Sequence, residues 1–213
     1  GDIYFLLRQR FDELKQLRST LFRRNPVQAI QRFQKVFEAF RQNLLSESEL
    51  KTLQKQELDR IQSITDKKEL DKIFQLADLV DVYPQYQVWK KENNWIDYGD
   101  MIANLWKLIE SNPVVLAELQ GQYKHIIVDE FQDNNYALSR IVEKIALPEN
   151  SITLVGDDDQ CIYAFRQANI QNVHQFQNHY YDNNQEPIEL MQNYRSNQPI
   201  LNVANTVIVE NTG

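Results

Sequence analysis

The chain has 213 residues, 42 % hydrophobic and 25 % charged, with a formal net charge of -7: enough to fold and bury a core, and too acidic to hold nucleic acid through overall basicity. No run of about eighteen apolar residues occurs and basic side chains stud the first thirty positions, which argues against a membrane span or secretory core and predicts a soluble, cytoplasmic chain. The single Cys161 has no partner for an internal disulfide, and His125, His174 and His179 are too scattered for a zinc site.

Up to about residue 120 the apolar residues recur at helical spacing, first through Ile3, Leu6, Leu7, Phe11, Leu14, Leu17 and Leu21, then through Ile30, Phe33, Phe37, Phe40 and Leu44. The opening stretch is locally basic, a pattern that most simply makes a solvated helical face. Start signals punctuate this half. Asn25 before Pro26 fits a cap and first-turn proline, and Ser46 with Glu49 fits a capping box, a pattern that Asp66 and Glu69 repeat. Tyr83-Pro84 and Asn112-Pro113 are predicted joints, and Trp89, Trp95 and Trp106 are predicted core or joint residues.

Beyond residue 122 short apolar runs alternate with helical stretches, which predicts a partial parallel sheet covered by helices, hence an α/β fold preceded by an all-helical region. The expected strands are His125–Val128, Ile152–Val155 and Ile188–Met191. Helices are expected over Tyr136–Ala146, Ile162–Ala168, Ile170–Tyr180 and from Asn197 to about Val209, the last capped by Ser196 with Pro199 in its first turn.

Three constellations carry chemistry. The strand Ile126-Ile127-Val128 ends in Asp129 and Glu130, and in open parallel sheets ligands bind at the carboxyl ends of strands. An Asp there can hold Mg²⁺ while the adjacent Glu orients or deprotonates a water attacking a γ-phosphate; the bland alternative is a solvated turn with a capping Asp. The second constellation is Leu154-Val155-Gly156 running into Asp157, Asp158, Asp159 and Gln160. Consecutive carboxylates need helix-terminal amides, a cation or solvent to offset their repulsion. Just after them, Tyr163 and Phe165 offer flat faces for unpaired bases and Arg166 a guanidinium for phosphate, unless the aromatics are core and Arg166 pairs with the acidic turn. In the third, Tyr194 can lie against a purine and Arg195 can grip a terminal phosphate through its planar fork, although a surface Tyr-Arg pair is common.

Taken together, DEFQD (129–133), GDDDQCIYAFR (156–166) and NYRS (193–196), in that order, resemble superfamily 1 DNA helicases of the UvrD/Rep type. The resemblance extends over roughly residues 95 to 205, including WIDYGDMI (95–102), and only loosely over the helical region before it. It implies a RecA-like P-loop NTPase motor fragment: residues 1–95 as a helical insertion in the first motor domain, 96–187 as part of that domain, and 188–213 as the start of the second. It also implies ATP and Mg²⁺ as cofactors, single-stranded and junction DNA as partners, and ATP-driven translocation with duplex unwinding. Asp129 then binds magnesium, Glu130 is the catalytic base, and Gln160 senses the γ-phosphate. Tyr163 and Phe165 stack on bases with Arg166 close by, Tyr194 packs on adenine, and Arg195 is an arginine finger. Gln132 and Asp133 link the site to its neighbours.

Departures from the family pattern accompany the match. No Gly-x-x-x-x-Gly-Lys-Ser/Thr occurs; Gln167 stands where a glycine usually follows the Phe-Arg pair, and Asn134 where a threonine is usual. The expectation is therefore a fragment of a longer helicase, inactive by itself, with uncovered apolar surface that favours self-association. Two other functions fit the same motifs: the motor segment of a RecB-like helicase–nuclease, and a non-catalytic DNA- or partner-binding module on a helicase scaffold.

Overall fold

The computed structural model describes residues 2–146, 152–160 and 188–209. They fall into two compact units, one built from residues 1–126 and 135–152, the other from 127–134 and 153–213.

The first unit is helical as predicted, with α1 (Asp2–Arg10), α2 (Thr20–Arg24), α3 (Pro26–Gln42), α4 (Glu47–Asp59), α5 (Lys67–Glu92), α6 (Tyr98–Ser111), α7 (Pro113–Gln122) and α8 (Tyr136–Ala146). The expected start signals operate. Asn25 accepts from the Gln28 N–H ahead of Pro26, and Ser46 and Glu49 form a reciprocal capping box. Asn112 caps α7 with Pro113 in the first turn. Asp66 caps α5 through the Lys68 N–H, while Glu69 lies 3.9 Å from Arg60.

Helical spacing on α3 places Ile30, Phe33, Phe37 and Phe40 on one buried face. Their rings continue into a chain of aromatic contacts: Phe22 meets Phe33 at 5.1 Å, Phe33 meets Phe37 at 5.6 Å, and Phe37 meets Tyr83 and Tyr86 of α5 at 5.1 and 5.0 Å between centroids. This packing overturns the joint expected at Tyr83-Pro84, because α5 runs unbroken through Pro84. A proline inside a helix costs about 3 kcal/mol, and the burial of Tyr86 and Trp89 just beyond it, each fully buried side chain stabilising by about 1.5–3 kcal/mol, offsets that cost. Of the three tryptophans only Trp89 is a core residue; Trp95 is exposed, and the ring of Trp106 lies 6.0 Å beneath the Arg140 guanidinium.

Acidic side chains of α5 organise its neighbours. Asp78 is fully buried and accepts from the backbone N–H groups of Arg18 and Ser19 at 2.8–2.9 Å, fastening the loop before α2. Further along, a charged cluster joins α3, α5 and α6. Asp97 and Asp100 cap α6 reciprocally. Lys90 donates to Asp100 at 2.5–2.6 Å, Arg41 reaches Asp97 at 3.0 Å and Glu38 at 2.7 Å, and the Tyr86 hydroxyl donates to Asp97 at 3.0 Å. A Cβ on Gly99 would come within 2.6 Å of Arg41 Nε, so a side chain at this position would force the Glu38 and Arg41 side chains to shift.

The second unit holds most of a two-stranded sheet of β1 (Ile126–Val128) and β2 (Ile152–Leu154). Val155 donates its N–H to the Val128 carbonyl at 2.8 Å and accepts from the Phe131 N–H at 2.9 Å. One residue bonding two different residues of the neighbouring segment is the parallel pattern, stretched here to a spacing of three by the turn at Glu130. The expected α/β architecture is thus present in part, as a helix-rich chain with a small parallel sheet. The strand expected over Ile188–Met191 does not form: Ile188, Leu190 and Met191 are 84–90 % exposed and join no sheet among the described residues, and an unpaired extended segment is not a strand. A final helix, α9 (Gln198–Val209), begins one residue later than expected, with the Asn197 carbonyl, not Ser196, receiving its first bond from the Leu201 N–H. The helices expected within 162–180 lie outside the described residues. Among the described residues, no helix is long and apolar enough to cross a membrane.

Two outcomes follow from the buried charges. Asp100→Ala leaves Lys90 without its main counter-ion and should cost about 3–5 kcal/mol in urea unfolding at pH 7. For Asp97, burial would raise the carboxyl, but Arg41, the Asp100 N–H and Lys90 outweigh burial and hold it below the usual 3.8. A depressed folded-state value contributes stability that is complete above the unfolded-state value and lost as pH falls through the folded one. Stability should therefore decline below about pH 4, and Asp97→Asn should flatten that decline in denaturant titrations.

Candidate active site

The carboxylates enter the second unit where β1 ends. Asp129 follows the strand directly, and its Oδ1 accepts from the Glu130 N–H at 2.9 Å. Glu130 sits in the left-handed region at φ 50°, ψ 44°. For a residue with a Cβ this conformation costs roughly 1–2 kcal/mol and persists only when the surroundings hold it. They do so here: Phe131 is bonded to Val155, and the Asp133 N–H returns to the Glu130 carbonyl at 2.9 Å to close the short helical turn Phe131–Asp133.

Gln132 is buried, 2 % exposed, within that turn. Its Nε2 donates to Glu130 Oε2 at 2.7 Å, and its Oε1 accepts from the Asp157 N–H at 3.2 Å. Asp157 is itself a cap: its Oδ1 accepts from the Asp159 N–H at 3.1 Å and its Oδ2 from Gln160 Nε2 at 2.5 Å. The repulsion expected in the acidic run is thus offset at Asp157 by local amides. Asp129, Glu130, Asp157 and Gln160 therefore surround one loop pair at the carboxyl ends of two adjacent parallel strands.

Asp133, expected to share in linking the site, has a buried Oδ1 with no hydrogen-bond partner among the described residues. Tyr194 is 92 % exposed. The turn that carries it is held by Asn193, whose Oδ1 accepts from the Arg195 and Ser196 N–H groups at 2.8–2.9 Å, and Arg195 makes no ion pair among the described residues. Neither Tyr194 nor Arg195 is hydrogen-bonded to the four loop residues. Tyr163, Phe165 and Arg166 lie outside the described residues.

Magnesium characteristically takes one or two protein carboxylates and fills its octahedron with water and phosphate oxygens. Asp129 is compatible with that pattern: one of its oxygens is engaged by the Glu130 amide, and the other has no hydrogen-bond partner among the described residues. Among the described residues no group of three potential metal ligands forms.

The family model of the UvrD/REP helicase N-terminal domain matches residues 4–181. The chain belongs to this family. Among relatives of the UvrD/REP domain, the protein named ATP-dependent DNA helicase PcrA of Leuconostoc citreum is 40 % identical over 144 residues, 68 % of this chain and 19 % of that protein. ATP-dependent DNA helicase UvrD1 of Mycobacterium tuberculosis is 37 % identical over 139 residues, 62 % of this chain and 18 % of its own length. DNA helicase II of Haemophilus influenzae is 36 % identical over 138 residues, 65 % and 19 % respectively. The chain thus spans about a fifth of the length of the curated relatives it matches.

The resemblance named Gln132 as a link between the site and its neighbours; what the residue pattern left unmarked is the pair of groups it bridges, the Glu130 carboxylate and the Asp157 N–H. The available signal was its place two residues after Glu130, where a side chain following a strand end can turn back, together with Gly156 as the sole glycine between Gly121 and Gly213.

Proposed function

We propose that this chain is the segment of an ATP-dependent DNA helicase that handles the metal and the attacking water in a RecA-like motor. Adjacent Asp129 and Glu130 at the carboxyl end of β1, facing a Gln160-bearing loop at the end of β2, carry this reading in a UvrD/REP family chain. In the proposed division, residues 1–95 form a helical insertion, 96–187 part of the first motor domain, and 188–213 the start of the second.

Asp129 is the ligand for the Mg²⁺ of Mg-ATP, and bound magnesium would neutralise charge developing on the transferring phosphoryl oxygens. Glu130 orients the water and takes up its proton. One carboxylate oxygen, Oε2, is occupied by Gln132, and Oε1 has no partner among the described residues, which leaves it for that water. Gln160 senses the γ-phosphate, Arg195 approaches it as an arginine finger, and Tyr194 packs on adenine. Tyr163, Phe165 and Arg166 contact single-stranded DNA at a junction, in the cytoplasm. Such an enzyme would couple each hydrolysis to movement along one strand and so to unwinding.

In the full-length protein carrying this segment, Glu130→Gln should abolish single-stranded-DNA-stimulated ATP hydrolysis while nucleotide binding, followed by fluorescent-nucleotide titration, is kept; retained turnover would sink the assignment. Phe165→Ala in the same protein should weaken single-stranded DNA binding by about 1–3 kcal/mol in anisotropy titrations if a base stacks there. The 213-residue chain alone should lack ATPase activity and self-associate through the exposed stripe of Tyr98, Met101, Leu105 and Leu108 on α6. A single monomer mass by light scattering, unchanged on concentration, would refute self-association.

A further inference from the structure

We infer that Gln132 is a positioning residue that ties the Glu130 carboxylate to the loop carrying Gln160; this rests on the reading of Glu130 as the base. Three hydrogen bonds make a continuous path. Gln160 Nε2 donates to Asp157 Oδ2 at 2.5 Å, the Asp157 N–H donates to Gln132 Oε1 at 3.2 Å, and Gln132 Nε2 donates to Glu130 Oε2 at 2.7 Å.

A carboxamide is the chemistry this position needs. Its two ends face groups of opposite polarity, a carboxylate that only accepts and a backbone N–H that only donates, so the orientation of the amide is fixed by its partners. A glutamate of the same shape has no donor for Glu130, and an alanine reaches neither. Burial keeps water from substituting for either bond.

Gly156 is the other half of the device. A Cβ added there would lie 2.8 Å from Gln132 Oε1 and 3.6 Å from the Gln132 backbone nitrogen. A side chain at 156 would press on the amide oxygen that accepts from Asp157, so the missing Cβ leaves that bond undisturbed. Glu130 stands in the left-handed conformation at the far end of the same path. A displacement of the Gly156–Gln160 loop therefore pulls on the oxygen of the base through one amide, with no helix or strand having to move.

The test is steady-state ATP hydrolysis with single-stranded DNA by the full-length protein, comparing Gln132→Glu, Gln132→Ala, Gly156→Ala and the Gln132→Ala/Gly156→Ala double variant, with Glu130→Gln alongside. Misplacing a reacting group by about an ångström can cost a hundredfold, so Gln132→Glu should lower kcat by about ten- to a hundredfold. KM for ATP should stay within about twofold, the signature of a contact that acts on the chemical step. Gly156→Ala should lower kcat in the parent background and change nothing further in the Gln132→Ala background, since both remove one link. Unchanged kcat in Gln132→Glu, or losses that multiply in the double variant, would overturn the inference. If Gln132→Glu fails to fold by thermal melting, the Gly156→Ala pair decides. Turnover retained by Glu130→Gln would instead defeat the base assignment itself, whatever Gln132 does.

Discussion

The helical unit depends on one buried electrostatic arrangement, in which Lys90 and Arg41 face Asp97 and Asp100 with Glu38 and the Tyr86 hydroxyl completing the shell. Burying charge is costly, and a buried ion pair stabilises only where geometry is good and the remaining polar atoms are satisfied. Here the two aspartates do double service. Each accepts a backbone N–H of the other at the start of α6 and each receives a cation: Asp100 Oδ2 takes both the Asp97 N–H and Lys90, while Asp97 takes the Asp100 N–H on Oδ1 and faces Arg41 with Oδ2. Burial alone would make Arg41 easier to deprotonate, yet Asp97 and Glu38 more than offset it and the guanidinium is held more firmly charged than usual. The arrangement fixes where α6 starts relative to α3 and α5, a geometry that apolar packing alone, being non-directional, would leave free to slide.

Among its described residues the second unit buries few side chains, and its loop residues are held largely by hydrogen bonds to one another. The parallel pairing of β1 and β2 continues one residue past the strands, through both backbone groups of Val155. That extra pairing stops the loops from fraying where the carboxylates emerge. Polar groups exposed at strand ends are normally hydrated and mobile; here Asp129, Glu130, Asp157 and Gln160 each use a side-chain or backbone group on a neighbour within the pair of loops. These bonds leave the loop side chains little room to rearrange.

Much of this was legible in the sequence because local rules govern it. Caps at Asn25, Ser46, Asp66 and Asn112, the buried face of α3 and the start of α8 follow from periodicity and first-turn chemistry alone. Asp129 and Glu130 at a strand end were equally legible, since an apolar run stopping at carboxylates has one natural place in a parallel sheet. The misses share a cause, namely that tertiary context decided them. Pro84 reads as a break, yet the rings of α3 outweigh its penalty. Ile188–Met191 reads as a strand, yet a strand exists only by pairing, and no local pattern supplies a partner. Gln132 was named as a link, but its far partner, the Asp157 N–H, was hidden because it lies 25 residues away.

An Asp-Glu pair after a strand is weak evidence of catalysis by itself, because capping and solvation account for most such pairs. The weight comes from cost. Glu130 occupies a backbone conformation that disfavours any side chain with a Cβ, Gln132 is a polar residue buried almost completely, and Gly156 is held to the smallest side chain by a contact that a methyl would spoil. A solvated turn requires none of these three, and selection for stability alone would relax each: glycine or asparagine at 130, an apolar residue at 132, and a residue with a less flexible unfolded state at 156. Glu130 and Gln132 are joined to Asp157 by one hydrogen-bonded path with Gly156 beside it, and each of the three costly features departs from what local stability alone favours.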